Sequence, residues 1–371
     1  MKIKQAIILG DATNNTLGVV RSLGLKKVPL ILILIAEKDP WFVSESKYVR
    51  HGNLYRIKNI EELMPLLLSI HNSEYEQSLM CTFDEVAMFI DKHEEELSKL
   101  FRTPARGSHI LQYFNKATLC DLAEKCGLEV PRTIIYNRSE DIPTDKITFP
   151  VMIKPLHSIE GAKEDIHKCN NKEELQSALQ AESNCPKFVI QEYIEKDFEL
   201  DVFGVRTEEG VIIPGGVRKI RHFPAGTGAG AYGIFLPTDE LKLDIPKINE
   251  LLKQTGYYGL FSIEFLRKGE RSIFMEVNFR NDGIAYAATV GGVNLPEIYI
   301  NPISNAPKAR KNYMMNYSID FLYVKSGEVP LRTWLRDFFR TRCFINFNRH
   351  DTRPTRCYYW HKIKSKFYKN R

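Results

Sequence analysis

The chain has 371 residues, of which 43% are hydrophobic, 26% charged and 11% aromatic, with 22 glycines and 18 prolines. This excludes disordered, collagen-like and disulfide-scaffold chains, and the length leaves room for two or three packed units. The net charge of +6 is unevenly spread: residues 330–371 hold twelve Lys/Arg against two Asp/Glu, a local +10, which leaves 40 against 44, or −4, for the rest.

Ala6–Leu9 reads as a short buried strand ending at Gly10, and Leu17–Leu23 as a helix entered through Asp11, Thr13, Asn14 and Asn15. The run Val28–Ala36, with its continuous segment Leu30–Ile35, suits a parallel strand covered on both faces. It falls well short of the roughly 18 apolar residues of a membrane span. The start is also unlike a secretory signal, because its apolar run stops at Gly10-Asp11. Seven cysteines, an odd number with no C-x-x-C pair, fit reduced thiols in a cytoplasm. Leu79–Thr82 and Glu85–His93 continue the strand–helix alternation, which implies a doubly wound α/β domain over residues 1–105.

Beyond Thr103-Pro104 the pattern changes. A helix is expected over Asn115–Cys126, a strand over Phe149–Lys154, a helix over Glu173–Ala181 and strands at Phe188–Glu192, Phe198–Arg206 and Val211–Ile213. Gly215–Gly233, with six glycines among basic residues, reads as a long loop. Ile248–Thr255 is a helix closed by Gly256. Leu260–Leu266 and Ile273–Phe279 read as a β-hairpin.

That hairpin carries the strongest chemical signal. Side chains alternate along a strand, so Glu276, Asn278 and Arg280 share a face, and the short turn brings Glu264 beside Glu276. Two carboxylates and an amide oxygen form a hard donor set suited to Mg²⁺, an ion that shares its remaining coordination with water and phosphate. An isolated E-x-N-x-R is as readily a solvent-facing polar row. The matching acid and the lysines upstream reverse that balance. Lys154, closing a strand, and Lys116, opening a helix, are placed to meet phosphate. His157–Lys163 is a weak candidate for a phosphate-covering turn, since it holds one glycine and the repelling Glu160. Glu192, Tyr193 and Ile194 lie where backbone groups would meet an adenine edge, and Glu199 would bond a ribose hydroxyl; an acidic edge strand explains Glu199 and Asp201 equally well. Arg218 and then His222, ahead of the glycine-rich PAGTGAGAYG segment, are candidates to grip an acidic substrate.

The order of these parts resembles the ATP-grasp superfamily over residues 5–305. Within it, Ile8-Leu9-Gly10 with Asn15–Gly24, Phe83-Asp84-Glu85, Asn115-Lys116 and Gly291–Pro296 look closest to carboxylate–amine ligases of the D-aspartate ligase kind. The resemblance implies a two-lobed α+β grasp fold over 106–305 with a lid near 140–195, preceded by the α/β domain and followed by a basic aromatic extension at 306–371. It implies ATP and one or two Mg²⁺, or Mn²⁺ in their place. Lys116 and Lys154 would bind phosphates, Glu192, Tyr193, Ile194 and Glu199 the nucleoside, Glu264, Glu276 and Asn278 the metal. Arg280, Lys154 and Arg218 would act on the reacting groups. The implied reaction is ADP-forming: a carboxylate becomes an acyl phosphate, and an amine then displaces phosphate, in cell-envelope or polysaccharide assembly. The glycine-poor stretch at 158–163 departs from the pattern. A bicarbonate-activating carboxylase or carbamoyl-phosphate-type enzyme, or a binding protein with a degenerate nucleotide site, are the alternatives.

In the tail, Leu331, Trp334, Leu335, Phe338 and Phe339 recur at helical spacing opposite Arg332, Arg336 and Arg340, and Tyr358-Tyr359-Trp360 precedes Lys362, Lys364, Lys366 and Lys369. Such a segment either packs on the body through its aromatic side or meets an anionic membrane surface or a lipid-linked acceptor. The second case would make a cytoplasmic enzyme peripheral at the inner face. Nucleic acid has no recognised motif behind it, and a homodimer is the default assembly.

Overall fold

A computed structural model describes residues 2–36, 42–156, 166–181, 186–223 and 229–369. Four parallel strands, β1 (Ile3–Gly10), β2 (Leu30–Ile35), β3 (Leu54–Ile57) and β4 (Tyr75–Cys81), form the N-terminal sheet in the order β3-β2-β1-β4. Every residue of β2 is buried, as its uninterrupted LILILI sequence requires of a strand with both faces covered. A second, antiparallel sheet is built from β5 (Thr133–Asn137), β6 (Val151–Pro155), β7 (His167–Cys169) and β8 (Lys187–Glu192) in the order β5-β8-β6-β7. It has its own small core around Tyr136, Ile153, Leu175, Phe188 and Ile190, the arrangement of a separate lobe. This lobe begins at Thr133, a few residues before the expected lid.

The third sheet has seven strands: β9 (Phe198–Thr207), β10 (Gly210–Phe223), β11 (Ala229–Pro237), β12 (Leu260–Lys268), β13 (Arg271–Asn278), β14 (Asn312–Met315) and β15 (Cys343–Phe344), in the order β13-β12-β9-β10-β11-β14-β15. The expected long loop at Gly215–Gly233 is instead the body of the β10–β11 hairpin, and Pro224–Thr227 with Gly228 lie outside the described residues. Its glycines mark crowding rather than looseness. A Cβ on Gly216 would stand 2.6 Å from the Asp201 carbonyl oxygen, and one on Gly233 would stand 2.8 Å from that of Arg218.

The boundaries expected near residues 105 and 305 do not separate independent cores. Ile7 and Leu9 on one face of β1 share a cluster with Phe261, Ile263 and Phe274 of the central sheet, while Ala6 and Ile8 on the other face share one with Phe203, Val217 and Phe235. Met314, Cys343 and Ile345 from the expected extension join the second cluster. Charge fixes the same segment. Arg21, fully buried, donates from Nε to Asp351 Oδ2 at 3.1 Å and to the Ile345 and Asp351 carbonyls, both at 3.1 Å, and Asp351 also accepts from the Ser46 hydroxyl and the Lys47 N–H.

Breaking a buried pair leaves an uncompensated charge, so Arg21→Ala should lower the unfolding free energy by about 3–5 kcal/mol. Urea denaturation measures this; an unchanged midpoint would show that the pair does not hold the C-terminal segment in place.

Candidate active site

Three elements from different parts of the chain converge on one cavity of about 830 Å³. Its floor is the β12–β13 hairpin. Glu264 and Glu276 are directly paired across the ladder, and a bulge immediately after Glu264 shifts the register so that Phe265 faces Phe274. The bulge lets Met275 and Glu276 both line the cavity. Burial and the neighbouring Glu264 charge raise the Glu276 carboxyl to about 7, against the opposing pull of Lys116 and Lys154.

Lys154 projects from β6 and donates to the Gln191 side-chain oxygen on β8 at 2.9 Å; Gln191 in turn donates to the Thr133 hydroxyl. Burial holds the Lys154 ammonium below its ordinary range, partly offset by Glu276. Lys116 is the first residue of the helix Lys116–Lys125, whose N-terminus is capped by the Asn115 side chain accepting from the Ala117 and Thr118 N–H groups. Its ammonium lies 3.4 Å from the Pro155 carbonyl oxygen. The two lysines and the two glutamates thus share one cavity.

Glu192, Tyr193 and Ile194 follow the end of β8 along the cavity edge, with Met152, Ile166 and Val189 from the lid and Leu266 and Met275 from the floor. This is an apolar slot the thickness of an aromatic base. Lys168 stands 4.0 Å over the Tyr193 ring, and Arg132 meets Glu192 at 3.6 Å. His157–Lys163 lies outside the described residues.

Asn278 and Arg280 depart from simple expectation. The Asn278 side-chain oxygen accepts from Arg280, its amide donates to Ser262, and Arg280 is anchored by Asp84 at 2.8 Å and by the Asn281 carbonyl. Asn278 would have to exchange its Arg280 partner to meet a metal. Glu199 lines the cavity but is already bound by Lys196, by Lys219 at 3.1 Å and by His222 at 3.1 Å. Although burial would raise its carboxyl, these partners hold it well below the usual carboxylate range. A ribose hydroxyl would therefore have to share those partners.

Arg218 is misplaced by the sequence reading. It lies exposed on the outer face of β10, 4.2 Å over the Phe198 ring, because alternation along the strand turns Lys219 inward instead. Buried Lys219 reaches Asp201 at 2.9 Å as well as Glu199. Burial alone would lower its pKa, but the charges of Asp201, Glu264 and Glu199 raise it well above the ordinary lysine value. Lys219, Asp84 and Gln191 are the residues that sequence reasoning missed. Reading Gly215–Gly233 as two strands would have found Lys219.

Among the described residues no three histidine, cysteine or carboxylate side chains converge to hold a metal unaided. Glu264 and Glu276 still fit Mg²⁺, which typically takes one or two carboxylates and completes its shell with water and phosphate. The raised Glu276 carboxyl is what two facing acids show before a cation neutralises them. Cys120 also lines the cavity, but burial pushes its thiol up to about 11, so it stays protonated and is no nucleophile.

A carboxyl raised in the fold binds a proton that the unfolded chain has already lost. Stability of the metal-free protein should therefore fall as pH rises from about 4.5 to about 7, then level off. Glu276→Gln should flatten that slope, and Mg²⁺ should raise the melting temperature of the native chain more at about pH 8 than at about pH 5. Thermal melts with and without Mg²⁺ read both effects, and a pH-independent Mg²⁺ shift would contradict the pairing.

No protein-family model matches the chain. It is 25% identical over 207 residues to a formate-dependent phosphoribosylglycinamide formyltransferase of Prochlorococcus marinus (strain MIT 9313), covering 52% of each chain. It is 26% identical over 188 residues to the carbamoyl phosphate synthase large chain of Myxococcus xanthus (strain DK1622), covering 48% of this chain and 17% of that one. The chain spans about half the length of the formyltransferase it matches. Among solved structures it superposes on N5-carboxyaminoimidazole synthetase from Staphylococcus aureus complexed with ADP, with a TM-score of 0.66 at 14% identity over 89% of this chain and 87% of that one. An L-amino acid ligase from Bacillus licheniformis gives a TM-score of 0.60 at 12% identity over 83% and 76%. These likenesses establish the architecture: the chain has the ATP-grasp fold.

Proposed function

We propose that this chain is an ADP-forming carboxylate–amine ligase that uses ATP and Mg²⁺. The observation that carries the reading is the sharing of one cavity by the Glu264–Glu276 pair, Lys154 and Lys116, beside an apolar slot of base thickness. This is a cationic and metal-ready cradle for a polyphosphate with its nucleobase accommodated alongside.

In this reading the nucleobase lies between Met152 and Val189 of the lid and Leu266 and Met275 of the floor, along the edge formed by Glu192, Tyr193 and Ile194. Lys154 and Lys116 hold phosphate oxygens, and a bound phosphate restores the full charge that burial takes from Lys154. Mg²⁺, held by Glu264 and Glu276 with Asn278 joining once released by Arg280, neutralises charge on the terminal phosphates. A substrate carboxylate oxygen attacks the γ-phosphorus and the bond to the β-phosphate oxygen breaks, giving an acyl phosphate and ADP. The amine then attacks the acyl carbon, loses a proton and expels phosphate. Catalysis is positioning and charge neutralisation, with no covalent enzyme intermediate. Arg280, steadied by Asp84, faces the charge that develops on the acyl phosphate. Lys219 acts through Glu199 and Asp201 as a positioning residue, the part first given to Arg218. Asp11, Thr13, Asn15 and Thr82 of the N-terminal domain border the end of the cavity near Arg280, where the carboxylate and amine are placed.

An amino acid is the favoured carboxylate, in line with the fold shared with an L-amino acid ligase and the local resemblance to D-aspartate ligases. The formyltransferase and carbamoyl phosphate synthase relatives favour a second reading, in which the activated acid is formate or bicarbonate.

ADP release measured across amino acid pairs that include D-aspartate, and with formate and bicarbonate, separates the two readings. Absence of turnover with every pair would sink both. Glu276→Ala should lower kcat by about 100-fold or more while leaving a cooperative melt; near-native turnover would refute the metal assignment.

A further inference from the structure

The helix Leu331–Arg340 lies on the body through only part of its circumference. Trp334 and Asp337 are buried, Phe338 packs against Trp334 and Phe344, and Asp337 receives the Arg221 guanidinium at 2.9 Å. At 100° per residue, Leu331, Leu335 and Phe339 fall on an adjoining stripe one turn apart. They are 50%, 39% and 80% exposed. Next around the helix come Arg332, Arg336 and Arg340, all exposed. Packing on the body thus accounts for Trp334 and Phe338 and leaves a second apolar stripe bordered by arginines.

The C-terminal helix Arg353–Lys369 repeats the chemistry. Trp360 and Ile363 are 67% and 51% exposed beside exposed Arg356, Lys362 and Lys364. Ring contacts run unbroken from Phe339 through Phe338, Phe344 and Tyr317 to Tyr359, so the two helices belong to one aromatic cluster.

We propose that this C-terminal face docks on an anionic phospholipid bilayer surface, with Leu331, Leu335, Phe339 and Trp360 entering the headgroup boundary and the arginines and lysines meeting lipid phosphates. Charge complementarity selects the occupant. A second copy would press this +10 segment against another +10 segment, and a nucleic acid would leave an aliphatic stripe in water. A lipid interface satisfies both the charge and the apolar surface. No described helix is long and apolar enough to cross a membrane, so the contact is peripheral. The inference is independent of the proposed ligase activity.

The test is sedimentation of the full chain with vesicles of phosphatidylcholine alone or mixed with phosphatidylglycerol. Binding should require the anionic lipid and weaken as salt rises. The double variants L335S/F339S and R332Q/R336Q should each reduce partitioning roughly tenfold or more with unchanged melting temperatures, since all four side chains are exposed. The arginine pair keeps the test decisive if the apolar pair folds poorly. Absent binding, equal binding to neutral vesicles, or native partitioning by both variants would overturn the proposal. So would a dimer in solution that L335S/F339S dissociates, or an oligonucleotide that outcompetes the vesicles.

Discussion

Two carboxylates placed face to face in a buried cleft repel each other strongly, and this repulsion organises the site. Glu264 and Glu276 are direct ladder partners, so neither can move away without breaking the hairpin. The fold tolerates the pair by surrounding it with cations from three directions. Lys154 arrives from the lid, Lys116 from a helix N-terminus and Lys219 from β10. Even so, Glu276 keeps an affinity for a proton near neutrality. A site that holds two acids against this cost is prepared for a divalent cation, whose charge neutralises both at once.

Strand β10 shows how one element can serve several surfaces. Its alternation directs Lys219 inward and Arg218 and Ile220 outward, and the register shifts near Lys219 and Arg221 bring His222 back toward Glu199. Arg221 points to the C-terminal segment, forming a bidentate pair with Asp320 and a further bond to Asp337 while its guanidinium lies over the Tyr232 ring. Arg21 does the same from the N-terminal domain through Asp351. Two buried arginines thus bind the last sixty residues to both halves of the molecule. Replacing either with a smaller group would strand its acids without partners, which explains why the segment folds as body rather than as an appendage.

Much of this was legible in the sequence because the relevant signals are local. The β12–β13 hairpin, its facing acids and the helix opening at Lys116 follow from two-residue periodicity and a capping asparagine, both complete within a dozen residues. The β10–β11 hairpin was not legible. Its glycines look like a flexible loop until the neighbouring carbonyls of Asp201 and Arg218 are seen to leave no room for a side chain. The partners of Arg280 and Glu199 were hidden for a related reason. Asp84 lies 196 residues from Arg280, and Lys219 lies two strands' length from Glu199. The C-terminal helix was half legible. Periodicity correctly gave one helix, but it merged into a single apolar side two stripes that the structure separates, Trp334 and Phe338 inward and Leu331, Leu335 and Phe339 outward.

The lid's independence follows from the same distribution of forces. Its core is small and closed around Tyr136, Ile153 and Phe188, and the lobe carries Lys154 without a buried counter-charge of its own. Gln191 offers that ammonium a neutral oxygen, so its charge is balanced only across the cavity by Glu276 and Glu264. Electrostatics therefore draws the lid toward the floor, while Lys116 on the adjacent helix opposes that attraction by repelling Lys154. A polyanion between the lysines removes the repulsion, and a cation between the glutamates removes theirs. The apposition of lid and floor is then favoured most when both are present, which couples enclosure of the cavity to its full complement of ligands.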